Sequence, residues 1–268
     1  MNKTENIISI KNLTYKKIIN NISLNIKKSS IVSISGTNCS GKTTLIKLIG
    51  GIIESTKSIY INNITIESIN KTELFKKIGI YIAESDEKYE FESLKEGIFS
   101  TLTNLNLEQS EQNNLYKEII NITKIKNIIE HNPNNIRRIE TIKFHITLLL
   151  LCNPQVLLLD NILAGLTKKE KKEIMSILKN IQKSKDMTII ITTNDLTDTI
   201  ESDYIYILNE GQIELEGPPI EVLKNDSKIN KLGLDIPFMI DLSVKLSDYD
   251  ILDSIILDID RMIDKLWK

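Results

Sequence analysis

Gly36-Thr37-Asn38-Cys39-Ser40-Gly41-Lys42-Thr43-Thr44 is the stretch that decides the fold of this chain. It fits G-x-x-x-x-G-K-[ST], the pattern of a phosphate-binding loop. In such a loop the backbone N–H groups of a glycine-rich turn converge on the α- and β-phosphates. The following helix turns its positive end toward them. The Lys42 ammonium is then placed to reach the β- and γ-phosphates, and the Thr43 hydroxyl to ligate Mg²⁺. Both flanks suit the motif. Ile31-Val32-Ser33-Ile34-Ser35 reads as a short apolar strand and Leu45-Ile46-Lys47-Leu48-Ile49 as a helix. The bland alternative is a Gly/Ser turn that merely precedes a lysine.

Strand patterns recur on either side of a helical stretch. Residues 7–10 and 22–26 read as strands before the loop, and 58–61 as another. Asn62-Asn63 follows, where Asn tolerates a left-handed turn. Residues 78–82 are a further apolar strand, and from 91 to about 151 the periodicity is helical. Apolar runs return at Val156-Leu157-Leu158-Leu159, at 188–193 and at 204–208. Continuous runs of this length suit strands buried on both faces of a parallel sheet. Pro154 marks the turn into a strand that ends at Asp160, and a carboxylate there, beside a phosphate loop, suits a Mg²⁺ site.

Composition narrows the field. The chain has 268 residues, enough for one large α/β domain or two smaller units. The formal net charge of -2 supplies no field to draw nucleic acid, and no such partner is expected. Ile, Asn and Lys are abundant, so lysine runs such as Lys168-Lys169 read as solvated helix faces. Cys39 and Cys152 are far apart, which suits a reducing cytosol. No apolar run reaches the roughly 18–20 residues of a membrane span. The expected place is the cytoplasm, with peripheral attachment to the inner face of the membrane through partners.

At this point the chain resembles the nucleotide-binding domain of ABC transporters. The phosphate loop is similar to that family's G-x-N-G-S-G-K-[ST]-T. Leu157-Leu158-Leu159-Asp160-Asn161 with Ala164-Gly165-Leu166-Thr167 resembles its Mg²⁺ strand and the loop beyond. Thr188-Ile189-Ile190-Ile191-Thr192-Thr193-Asn194-Asp195-Leu196 resembles its switch segment. Residues 207–213 with Glu216-Gly217-Pro218 resemble the hairpin that closes the domain. Leu232-Gly233-Leu234-Asp235-Ile236-Pro237-Phe238 is similar to the C-terminal extension of the A-components of energy-coupling factor transporters, which take up vitamins and metals.

The resemblance implies an α/β P-loop NTPase, a RecA-like core with ABC-type antiparallel strands. Residues 1–223 would be the nucleotide-binding domain, with a helical subdomain at about 84–151, and 224–268 a C-terminal helical extension. It implies ATP held by Gly36, Thr37, Asn38, Cys39, Ser40, Gly41, Lys42, Thr43 and Thr44, and Mg²⁺ held by Thr43 and Asp160. Tyr15 is the candidate adenine-stacking aromatic, with a core tyrosine as the alternative. The implied partners are a second ABC ATPase, in a homo- or heterodimer, a transmembrane coupling subunit and a substrate-binding membrane subunit.

The chain departs from the family where catalysis resides. Asn161 stands where the family has the Glu that polarises water, and an amide cannot accept a proton at neutral pH. Asn194 stands at the switch His. The Gln that reaches Mg²⁺ falls on Ala83, with Glu84 adjacent. The L-S-G-G-Q signature falls on Ile136-Arg137-Arg138-Ile139-Glu140, and the Asp of A-G-L-D on Thr167. Cys39 replaces a Gly, at a cost on the order of 1 kcal/mol if its φ is positive. The expected function is an ATP-binding, energy-coupling subunit of an importer for a small micronutrient. The alternatives are a non-hydrolysing ATP-binding scaffold and an ABC protein without a membrane partner.

The tail is expected to be helical. Asp235 could cap a helix beginning near Pro237, and Ser247 a second one. Leu252, Ile255, Ile256, Ile259, Ile263 and Leu266 then recur at helical spacing, with acidic residues largely on other faces. The stripe either packs on the core or forms a dimer contact.

Overall fold

A computed structural model describes residues 5–55, 57–83 and 88–267. Two strands open the chain, β1 (Asn6–Tyr15) and β2 (Ile19–Lys27), and both run longer than their apolar cores suggest. Then come β3 (Ile31–Gly36), the phosphate loop and α1 (Lys42–Ile49). The short strands β4 (Ile59–Ile61) and β5 (Ile64–Thr65) meet at Asn62-Asn63, both with positive φ. Next are α2 (Lys71–Lys77) and β6 (Ile78–Ile82). Three helices follow, α3 (Leu94–Thr103), α4 (Gln109–Thr123) and α5 (Arg138–Leu151). The core resumes with β7 (Val156–Asp160), α6 (Lys168–Lys185), β8 (Thr188–Thr193), β9 (Tyr204–Asn209) and β10 (Gln212–Gly217). Four helices end it, α7 (Pro219–Leu223), α8 (Asp226–Lys231), α9 (Phe238–Asp248) and α10 (Ile259–Leu266).

The strands form a four-stranded antiparallel sheet, β2-β1-β4-β5, and a six-stranded sheet, β10-β9-β3-β8-β7-β6. In the second sheet only β10 is antiparallel to its neighbour. Its central strands are buried on both faces, as their unbroken apolar runs require. Leu157 and Leu159 of β7 enter a core shared with α3–α6, while Val156 and Leu158 enter the core under the antiparallel sheet and α1. Ile205 and Ile207 of β9 face a third cluster, built with α7–α9. β3 and β7 thus flank β8 in parallel and bring the phosphate loop and Asp160 to one edge.

The tail differs from its reading in the sequence. Pro237, not Asp235, is the N-cap residue of α9, and Ser247 lies inside the last turn of that helix. The helix ends because Asp250 takes a left-handed backbone (φ +56°), with Asp250 N–H on the Ser247 carbonyl and Ile251 N–H on the Leu246 carbonyl. Asp258 caps α10, its carboxylate accepting the Arg261 N–H at 3.0 Å. The apolar stripe is therefore not one helix. Leu252 is buried and Ile255 and Ile256 are half-buried in a non-helical segment. The buried Ser243 hydroxyl holds that segment by accepting the Ile256 N–H at 3.0 Å. On α10, Met262 is buried while Ile259, Ile263 and Leu266 are exposed.

Candidate nucleotide site

The phosphate loop is shaped by backbone that bends the uncommon way. Cys39 has φ +62° and Gly41 φ +105°, with Ser40 between them. Such alternation turns successive N–H groups toward one concavity. The cost foreseen for Cys39 is thus incurred; its side chain is exposed on the cleft. Gly41 could not be replaced cheaply: a Cβ there would lie 2.9 Å from Ile19 Cδ1 and 3.1 Å from the Ile18 carbonyl. Gly211, in the β9–β10 turn, is tighter still, since a Cβ would meet the Ile18 carbonyl oxygen at 2.1 Å. Its N–H donates to Ser40 O at 3.1 Å, and the Asn20 N–H donates to Gly211 O at 2.9 Å. The hairpin, the β1–β2 turn and the loop are packed as one unit.

Lys42 is largely buried and folds back over the loop. Its Nζ donates to the carbonyls of Gly36 at 2.8 Å and Thr37 at 2.7 Å, and to Ser40 Oγ at 3.3 Å. Burial lowers its pKa from 10.5 to about 8, with Asp160 and Cys39 partly opposing the shift. One residue on, the Thr43 hydroxyl donates to Asp160 Oδ2 at 2.7 Å. Thr192 Oγ1 donates to the other oxygen, Asp160 Oδ1, and accepts the Asn161 N–H at 2.9 Å. The carboxylate is buried and held from one neighbouring strand, β8, and one helix, α1.

These groups line a cleft of about 460 Å³ with Asn38, Cys39, Ser40, Gly41, Thr44, Asn161, Asn194, Ala83 and Ile18. The cleft brings together Asn38, Cys39, Ser40, Gly41, Lys42, Thr43, Thr44, Asp160, Asn161 and Asn194, all named from sequence. Gly36 and Thr37 form the start of the loop behind it, as the carbonyl partners of Lys42. Tyr15 is not on the wall; its ring packs on the core beneath the antiparallel sheet, with Lys16 Nζ 5.1 Å from its centroid. Ile18 reaches the cleft in its place and is 42% exposed. Glu84 lies outside the described residues. Thr192 was missed, yet the parallel register of β7 and β8 pairs Leu159 with Ile191 and so sets Asp160 beside Thr192.

Hard oxygen donors fit a Mg²⁺ ion here. One carboxylate and one hydroxyl, close together at a phosphate site, match an ion that keeps waters and takes phosphate oxygens. Among the described residues no three Asp, Glu, His or Cys cluster as a metal cage, so such an ion would depend on the nucleotide's phosphates.

Asn161, Asn194, Arg137, Arg138 and Thr167 are each held locally. Asn161 has φ +53°, a region Asn enters more readily than most residues. Asn194 Nδ2 donates to Asn38 Oδ1 at 2.6 Å. Arg137 precedes the first turn of α5, and Glu140 accepts both its N–H at 2.9 Å and its guanidinium at 2.7 Å. Arg138 Nε donates to the Ala164 carbonyl at 2.7 Å. Thr167 caps α6 in a reciprocal pairing with Glu170. Among the described residues no helix is long and apolar enough to cross a membrane.

Known proteins agree with this geometry. The family model described as ABC transporter matches residues 19–164. The energy-coupling factor transporter ATP-binding protein EcfA2 of Clostridioides difficile is 31% identical over 267 residues, covering 93% of each chain. Among solved structures, cbiO1 of Clostridium perfringens, part of the ABC transporter complex cbiONQ, superposes with a TM-score of 0.78. It is 27% identical, over 88% of this chain and 98% of that one. The ATP-binding cassette MJ0796, a dimer in a post-hydrolysis state with ADP and Pi, gives a TM-score of 0.68 at 25% identity, over 79% and 98%. With its ABC-type P-loop fold and this site, the chain belongs to the ABC transporter family, as an ATP-binding protein of the energy-coupling factor type.

Proposed function

We propose that this chain binds Mg-ATP and serves as one of two ATPase subunits that drive an energy-coupling factor importer for a small micronutrient, a vitamin or a metal ion. The observation that carries the reading is the buried Asp160 carboxylate, held by Thr192 and bonded to Thr43 beside Lys42. Lys42 would hold the β- and γ-phosphates as a point charge, and Thr43 and Asp160 would hold the ion that neutralises them. ATP-driven closure against a second ATPase would then be passed to a transmembrane coupling subunit. The apolar face of α10, with Ile259, Ile263 and Leu266 exposed, would contribute to the pairing of the two ATPases. Substrate capture would belong to another membrane subunit.

Asn161 favours a second reading, an ATP-binding subunit that does not itself hydrolyse. Its carboxamide can orient water but not take its proton, and loss of a positioned base costs about 10²–10⁴-fold. Steady-state ATP turnover separates the two readings. The isolated chain is expected to turn over slowly, and Asn161→Glu to raise the rate only in part. Rapid turnover by the isolated wild-type chain, abolished by Lys42→Ala, would refute the assigned role of Asn161.

A further inference from the structure

A second cavity, of about 400 Å³, lies between the two sheets at the start of β3, the end away from the phosphate loop. It shares no lining residue with the nucleotide cleft. Tyr206 forms its back wall and ties β9 to β2. The Tyr206 hydroxyl donates to the Asn25 carbonyl at 2.6 Å and accepts the Asn25 N–H at 3.3 Å. Tyr204 stands beside it, with ring centroids 5.1 Å apart. Two carboxylates complete the wall. Asp203 Oδ2 accepts the Ile31 N–H at 2.7 Å, which leaves Oδ1 to accept elsewhere. Glu216 of β10 lies opposite Tyr206 in the register. Burial and the nearby Glu216 charge together hold the Tyr204 phenol above its ordinary pKa. Among the described residues neither carboxylate is in an ion pair, and Lys27 is the one cation on the lining. The cavity thus carries a net negative charge, aromatic rings and unused acceptors, which suit an organic cation.

We propose that this cavity is a binding site for a small aliphatic diammonium compound, one ammonium on Glu216, the other on Asp203, and the carbon chain along Tyr204 and Tyr206. Asp203 precedes Tyr204, so it stands three residues of β9 from the residue opposite Glu216, about 10 Å along the strand. A chain with an ammonium at each end suits that span better than one ammonium alone. The stem would pack on the tyrosine rings, and each ammonium would make a charge-assisted hydrogen bond in a partly enclosed site.

The test is calorimetric titration with 1,4-diaminobutane and with n-butylamine at fixed ionic strength. The wild type is expected to bind the diamine one-to-one with a Kd below about 1 mM, and the monoamine at least about tenfold more weakly. Glu216→Gln and Asp203→Asn are each expected to weaken diamine binding about tenfold, and the double variant to lose it. Asp203→Asn keeps an acceptor for the Ile31 N–H, and Glu216 is exposed, so both variants are expected to melt like wild type. Glu221→Gln removes the same charge from α7, outside the cavity, and is expected to bind like wild type. No saturable heat up to about 10 mM diamine would overturn the inference. So would equal affinity for the two amines, a Glu216→Gln chain that binds like wild type, or a Glu221→Gln chain that loses as much.

Discussion

Raising the pH above neutrality is expected to weaken ATP binding through Lys42. The residue is 9% exposed, its ammonium is surrounded by Gly36 O, Thr37 O and Ser40 Oγ, and burial brings its pKa down to about 8. At about pH 7 roughly nine-tenths of the chains carry the charge, and at about pH 9 roughly one-tenth. Bound phosphate favours the charged form, so binding above pH 8 takes up a proton, and affinity falls toward about tenfold per pH unit. The fall levels off when the ammonium's whole contribution is gone. A charge-assisted hydrogen bond of about 1.5–3 kcal/mol sets that limit at roughly 10–150-fold. The unliganded fold responds in the opposite sense. In the unfolded chain this lysine keeps a pKa near 10.5. Between about 8 and 10.5 the unfolded state therefore binds more protons, and this residue's contribution to stability rises with pH. Calorimetry from about pH 7 to 9.5, in two buffers of different ionisation enthalpy, measures affinity and proton uptake together. Lys42→Met serves as the control, weak and insensitive over that range. A wild type with flat affinity and no proton uptake, or a Lys42→Met profile that parallels it, would refute the reasoning.

Two further substitutions probe the rest of the account. Thr192→Val keeps the shape but removes the donor to Asp160 and the acceptor of the Asn161 N–H. It is expected to cost about 1–3 kcal/mol of stability by denaturant titration and to weaken Mg²⁺-dependent ATP binding; no change in either would mean that the network does not hold Asp160. Ile263→Asp places a carboxylate on the exposed face of α10, where Ile263 is 47% exposed. It is expected to leave the melting temperature nearly unchanged and to weaken association with the second ATPase by about 1–3 kcal/mol in sedimentation; association like wild type would mean that the face is not an interface.

The phosphate loop and the strand ending at Asp160 were legible because their signals are local. A loop bent at Cys39 and Gly41 and a run of four apolar residues ending in a carboxylate are written in consecutive residues. The double-faced burial of β7 followed from the same run. Thr192 was less visible, because its role appears only when β8 is laid beside β7 in register. Residue type leaves Tyr15 open between an adenine-stacking aromatic and a core tyrosine; the β1–β2 turn points Ile18 at the cleft, and the tyrosine ring packs on the core. The tail was misread because helical spacing continues through residues 252–266 while the backbone does not. A left-handed Asp250 and the bond of Ser243 to Ile256 override the pattern, and neither is encoded in spacing.

The central claim is that this chain supplies ATP-driven closure to a membrane importer. The most direct measurement is purification of the tagged chain from native membranes in mild detergent, with mass-spectrometric quantification of what remains bound. The account predicts a second ABC ATPase and an integral membrane subunit in near-equal amounts, retained by Lys42→Ala and depleted together by Ile263→Asp. Recovery of the chain alone, or with no integral membrane protein at comparable amount, would contradict it.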